Sequence, residues 1–137
     1  MIKLQSEPFS AQKELDAFRK SHGTIGALAS FEGFVRGEDK GEQVLALEIE
    51  HYPKMCEQEL ERIGEEAKDK FGLQDYLIIH RFGRIEKGEP IVLVSATARH
   101  RKQAIGAVEM MIDFIKTHAP FWKQQETKNG KSWLSPD

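Results

Sequence analysis

The stretch Tyr76–Thr117 reads YLIIHRFGRIEKGEPIVLVSATARHRKQAIGAVEMMIDFIKT and decides the fold class. It opens with two apolar, β-branched runs, Tyr76–His80 and Pro90–Ala98, which read as strands. The segment between them, FGRIEKGE, is rich in turn residues and too short for a crossover helix, so the strands form a hairpin. The period then changes. From Arg101 to Thr117 the apolar residues Ala104, Val108, Met111 and Ile115 fall on one helical stripe, and Pro120 helps to end that helix. Strand, hairpin, strand and helix in succession define an α+β chain rather than a doubly wound one.

Upstream, Pro53 suits the first turn of a helix whose stripe is Cys56, Leu60, Ile63, Ala67 and Phe71. Its other faces carry Glu57, Glu61, Glu65 and Asp69, a solvated surface or a face for a basic partner. Val44 to His51 alternates as a strand. Residues 24–36 (TIGALASFEGFVR) read as another, kinked near Gly26 or Gly33, and the GEDKGE segment after them reads as a mobile loop. A first helix spans Ala11–Lys20, with Ser10 as its N-cap, Leu15 and Phe18 inward and Gly23 ending it. Downstream, Phe121–Thr127 and Lys131–Trp133 flank Asn129-Gly130, a strong hairpin signal. The expected order is α-β-β-α-β-β-α-β-β.

No repeat, linker or low-complexity tract interrupts the 137 residues, so residues 1–137 are read as one domain. Hydrophobic residues make up 39% and charged residues 31%, a composition that folds rather than stays disordered. The formal charge of -2 argues against a general nucleic-acid binder. No apolar run is long enough to span a bilayer, and MIKLQSEPFSAQKELD lacks the apolar stretch of a signal peptide. The expected address is the cytoplasm. A single cysteine, Cys56, makes neither an internal disulfide nor a thiolate zinc cluster. The histidines His51, His80 and His100 lack zinc-hydrolase spacing, and His80 reads as a structural histidine. Glycine-rich nucleotide loops and a GxSxG elbow are absent too, so no metal or cofactor is expected.

The local oddity is Arg99-His100-Arg101-Lys102, four basic or potentially basic residues where a helix begins. Helix N-termini are partly positive, so acids belong there and bases do not. Either these side chains fan into solvent or pair with the acidic helix, or they mark an anion site. Arg36, ending an apolar strand before a glycine-bounded loop, reads as a surface arginine or a binding residue. Lys116 in the last helical turn and Lys123 beside Phe121-Trp122 read as a dipole-complementing lysine and an exposed strand lysine. Lysine chemistry requires neighbouring cations or burial to leave some neutral amine.

Taken together, a set of ordered segments resembles one family. They are Phe31-Glu32-Gly33-Phe34-Val35-Arg36, then Leu47 to Met55 (LEIEHYPKM), His80-Arg81-Phe82-Gly83, Gly88-Glu89, His100-Arg101 and Lys116 to Lys123 (KTHAPFWK), closed by Gly130 and Trp133. From about Phe9 to Trp133 the chain is similar to the large, catalytic subunit of molybdopterin synthase. The resemblance implies an α/β hammerhead-type fold with an antiparallel sheet and a C-terminal β-hairpin. It implies a sulfurtransferase that converts cyclic pyranopterin monophosphate (precursor Z) into the molybdopterin dithiolene. The sulfur would come from the C-terminal Gly-Gly thiocarboxylate of a small ubiquitin-like partner. A homodimer flanked by two such partners, a heterotetramer, is implied as well.

Carried over by motif, Arg36, His100 and Arg101 would bind phosphate and pterin, and Lys116 and Lys123 would be the essential lysines. Phe34, Val35, Gln124 and Gln125 would help to line the pocket. The family often shows a basic residue and then a glutamate after the P-F-W-K lysine; here Gln124-Gln125 stands there and Glu126 follows. The competing readings are an anion-binding or adaptor module without activity, and a hydrolase of cyclic phosphates. The first would be expected to have lost one of the five cationic positions; the second lacks a base or metal to activate water.

Overall fold

A computed structural model describes residues 1–135. Its elements run β1 (Ile2–Gln5), α1 (Ala11–Lys20), β2 (Ala27–Phe34), β3 (Glu38–Asp39), β4 (Glu42–His51), α2 (Pro53–Phe71), β5 (Asp75–Arg81), β6 (Gly83–Glu86), β7 (Pro90–Ala98), α3 (Arg101–Thr117), β8 (Phe121–Thr127) and β9 (Gly130–Trp133). The α+β class, the three helices and the C-terminal β8–β9 hairpin agree with the sequence reading.

Two sheets share the work. One has the order β1-β5-β7-β2; the other has the order β3-β4-β8-β9, with β6 also pairing on β4. The pairings are antiparallel except β1 with β5, which is parallel. Strands β5 and β7 read as nearly continuous apolar runs because helices cover both faces of their sheet. On one face α2 and α3 bury Leu60, Ile63, Val108 and Met111 against Ile78 and Val94. On the other, α1 brings Phe18 to Leu77, Ile79 and Leu93. Close approach is set by two glycines. A Cβ on Gly64 of α2 would collide with the Tyr76 ring, and one on Gly106 of α3 would stand 2.7 Å from the Phe71 ring.

Three short strands escaped the sequence reading. Strand β1 has only four residues, and β6 lies in the segment read as turn, where Ile85 is its one fully buried residue. Strand β3 falls in the GEDKGE segment. That segment, expected to be mobile, instead closes a tight hairpin with β4, in which Lys40 and Gly41 take left-handed φ values of 51° and 81°. Helix α1 ends at Ser21, where the Ser21 N–H donates to the Ala17 carbonyl and the His22 N–H to the Arg19 carbonyl, so Gly23 does not cap it. Of the two proposed kinks, the register shift falls between Gly33 and Phe34.

The His80-Arg81 and Gly88-Glu89 motifs have a structural reason. Arg81 is 3% exposed and donates from Nε and Nη2 to the Ser6 carbonyl at 3.2 and 2.9 Å. Its Nη1 reaches the Pro90 carbonyl at 3.2 Å and Glu89 at 3.4 Å. One buried guanidinium therefore fastens the end of β1 to the turn before β7.

Candidate active site

Where β2 and β4 meet the end of α3 and the start of β8, a cavity of about 500 Å³ opens. Small-molecule sites typically have this size. Phe34, Val35 and Arg36 enter it from the end of β2, Lys116 from the last turn of α3, and Lys123 and Gln125 from β8. Strand periodicity explains the last pair, since alternate residues of β8 share a face. Six of the nine site residues named from sequence thus line one pocket. Gln124 does not; in the ladder it sits opposite Glu48 and Trp133.

His100 and Arg101 lie elsewhere in the single chain. They begin α3, whereas Lys116 ends it, about 22 Å away at the ~1.5 Å rise of a helix. Both are exposed, and none of Arg99, His100, Arg101 and Lys102 forms an ion pair among the described residues. Pairing with the acidic helix is therefore not what holds them. The His100 backbone N–H donates to the Gln103 side chain at 3.2 Å, which fixes the helix start. Gly26 packs on the Arg99 backbone so closely that a Cβ there would collide with its carbonyl.

Asp39 was missed by sequence reasoning. From the tip of the β3–β4 hairpin its carboxylate lies 3.6 Å from the Arg36 guanidinium and accepts from Gln125 Nε2 at 3.2 Å. Arg36 is otherwise open to solvent, so Asp39 restricts where it can reach. The only signal in the sequence was the i,i+3 spacing of an arginine and an aspartate within a polar loop.

Beneath the pocket lies a pile of rings. His80 stacks on Phe121 at 3.8 Å and 16°, and His51 stacks on Phe82 at 4.3 Å and on Phe121 at 6.2 Å. His80 is 1% exposed, and burial holds its pKa down to about 3, helped by the positive charges of Lys123 and Lys116. Neutral at ordinary pH, it donates from Nδ1 to the Arg81 carbonyl at 2.8 Å. It supports Phe121 rather than exchanging protons. Cys56 is fully buried in α2, and burial pushes its thiol up to about 12. Among the described residues no group of His, Cys, Asp and Glu is arranged to hold a metal ion, and no helix is long and apolar enough to cross a membrane.

The arrangement suits anions. Arg36 and two lysines converge on one cavity, against apolar walls from Phe34, Leu47 and Ile91. Fixed cations in such a cavity stabilise a bound phosphate or carboxylate and any oxyanion that develops during reaction. Comparison with known proteins identifies the family. The family model described as MoaE protein matches residues 4–118. The molybdopterin synthase catalytic subunit of Cereibacter sphaeroides is 40% identical over 134 residues, 98% of this chain and 90% of that protein. Among solved structures, a molybdopterin biosynthesis MoaE protein from Burkholderia ambifaria MC40-6 superposes with a TM-score of 0.85 at 40% identity, covering 99% of this chain and 89% of that one. Molybdopterin synthase from Staphylococcus aureus does so with a TM-score of 0.86 at 31% identity, covering 97% and 96%. With its fold and nearly its whole length matched, the chain belongs to the MoaE family.

Proposed function

We propose that the chain is the catalytic subunit of a molybdopterin synthase, acting in molybdenum-cofactor biosynthesis as a sulfurtransferase. The substrate is precursor Z. The sulfur donor is the C-terminal Gly-Gly thiocarboxylate of a small ubiquitin-like partner; each of two transfers forms one C–S bond on the pterin as one C–O bond breaks, and water returns the donor's tail to a carboxylate. The observation that carries this reading is the convergence of Arg36, Lys116 and Lys123 on one cavity. Both reactants are anionic there: a cyclic phosphate and a thiocarboxylate tail. Opening the phosphate ring and exchanging oxygen for sulfur each develop negative charge, which these cations offset. No metal is needed for these steps; molybdenum enters later.

A second copy of the chain accounts for His100 and Arg101. Strand β2 is the outermost of its sheet and carries the exposed Phe31 and Phe34. It runs from Gly26, packed on Arg99, to Phe34 at the pocket. A two-fold mate paired antiparallel along β2 sets the start of one strand beside the end of the other. The partner subunit's His100 and Arg101 then reach the pocket's mouth and contribute to phosphate binding. With a small subunit on each copy, the assembly is a heterotetramer. An adaptor without activity is disfavoured, because all five cationic positions persist.

The test is to incubate the protein with precursor Z and the thiocarboxylated partner and to follow products by mass spectrometry. A product whose mass matches the dithiolene, with C–S bonds in place of two C–O bonds, is expected. A partner lacking its last two residues should give no product; full conversion with that truncated partner as the only donor would refute the reading.

A further inference from the structure

Beside the pocket lies a second, smaller cleft of about 310 Å³, lined by Glu50, His51, Tyr52, Trp122 and Trp133. Tyr52 and Trp122 stand edge to face, with centroids 5.1 Å apart and planes at 83°, so they form two walls at nearly a right angle. Trp133 supplies a third aromatic surface. The three rings are unusually open for their size, at 60%, 46% and 58% exposure for Tyr52, Trp122 and Trp133. Folding alone gains little from leaving three large aromatic rings in water. Glu50, the cross-strand partner of Trp122, is exposed and forms no ion pair among the described residues. No lysine or arginine lines the cleft, and burial lowers the pKa of His51, which favours its neutral form.

Aromatic faces meeting at right angles with one carboxylate and no cation form a cage for a positive charge. We infer that this cleft receives an arginine or lysine side chain of the protein that delivers its tail to the adjoining pocket. The occupant follows from charge complementarity and from position: Trp122 and Trp133 line both cavities, so a protein seated at the pocket lies beside this cleft. The assignment of that protein rests on the function proposed above; the affinity of the cage for a cation does not.

The experiment therefore has two stages. First, tetramethylammonium and N-acetyl-arginine amide are titrated into the isolated protein, with the neutral isostere 3,3-dimethylbutan-1-ol as control. The indole N–H resonances of Trp122 and Trp133 are the readout. Saturable shifts with both cations are expected, at least fivefold weaker in Glu50→Gln and in Tyr52→Ala, with no saturation by the alcohol. Equal response to the alcohol, or no response to the cations, would overturn the cage. Second, affinity for the small partner is measured by calorimetry in the same two variants. A loss of fivefold or more, shrinking at high salt, supports the assigned occupant; unchanged affinity in both variants overturns it. This stage needs no turnover, so a failed sulfur-transfer assay remains a separate result.

Discussion

In a sulfur-transfer enzyme with one cysteine, the obvious carrier would be a persulfide on Cys56, and replacing that residue tests the idea directly. Cys56 is fully buried on the inner stripe of α2, and its pKa rises from an ordinary value of 9.0 to about 12. At pH 7.5 an unperturbed thiol of that kind is ~3% thiolate, whereas one at 12 is ~0.003% thiolate, about a thousandfold less nucleophile before access is considered. Cys56→Ala is therefore expected to keep most of its product formation. Removing one buried sulfur should cost about 1 kcal/mol of stability, seen as a small fall in the midpoint of urea unfolding. The assay pairs product formation by mass spectrometry with reaction of native and urea-unfolded protein toward a disulfide reagent. Only the unfolded chain should react within minutes. The raised pKa also has a sign in stability. Above pH 9 the unfolded chain loses this proton while the folded one holds it, so stability falls between 9 and 12, and Cys56→Ala should lack that component. A folded but inactive Cys56→Ala, or rapid modification of the native protein, would refute the reasoning.

Other outcomes follow from the same geometry. Lys116→Ala should fold normally by circular dichroism, since the side chain is exposed at the end of α3, yet lose nearly all product formation. Arg101→Ala should weaken precursor binding by ~1–3 kcal/mol in calorimetry through loss of a charge-assisted hydrogen bond. Below pH 6.5 the unfolded state takes up a proton that His80 refuses until about pH 3, so stability should fall by about 1.4 kcal/mol per pH unit as pH drops. Denaturant midpoints between pH 7.5 and 5 should show that slope in the native sequence and a smaller one in His80→Phe.

The helices were legible because their apolar residues repeat on one face over many turns, as Cys56, Leu60, Ile63 and Ala67 do in α2. Strands β1 and β6 were not, because four residues hold too little periodicity to separate a strand from a turn. In the site, the family resemblance named Arg36, Lys116, Lys123 and Gln125, which three elements bring to one cavity. It could not find Asp39, whose contact with Gln125 spans 86 positions and depends on a hairpin carrying it there. That His100 and Lys116 sit at opposite ends of one rod followed from the helix read over Arg101–Thr117, although the family resemblance assigned both to one pocket. The position of Gln124 was legible in principle, because strand alternation already separates it from Lys123 and Gln125.

The length of α3 carries a genetic consequence. If one chain lends Arg101 to its mate's pocket and keeps Lys116 for its own, a change at either end damages a different half of each composite site. Co-expressed Lys116→Ala and Arg101→Ala chains would then assemble mixed pairs in which one pocket collects both lesions and the other collects neither. Random mixing makes half of the pairs mixed, each with one sound pocket of two, so about a quarter of the original activity should come from intact pockets that neither parent has. Two lesions within one cavity of one chain could never complement in this way. A helix of 17 residues thus turns two separate defects into partners for rescue.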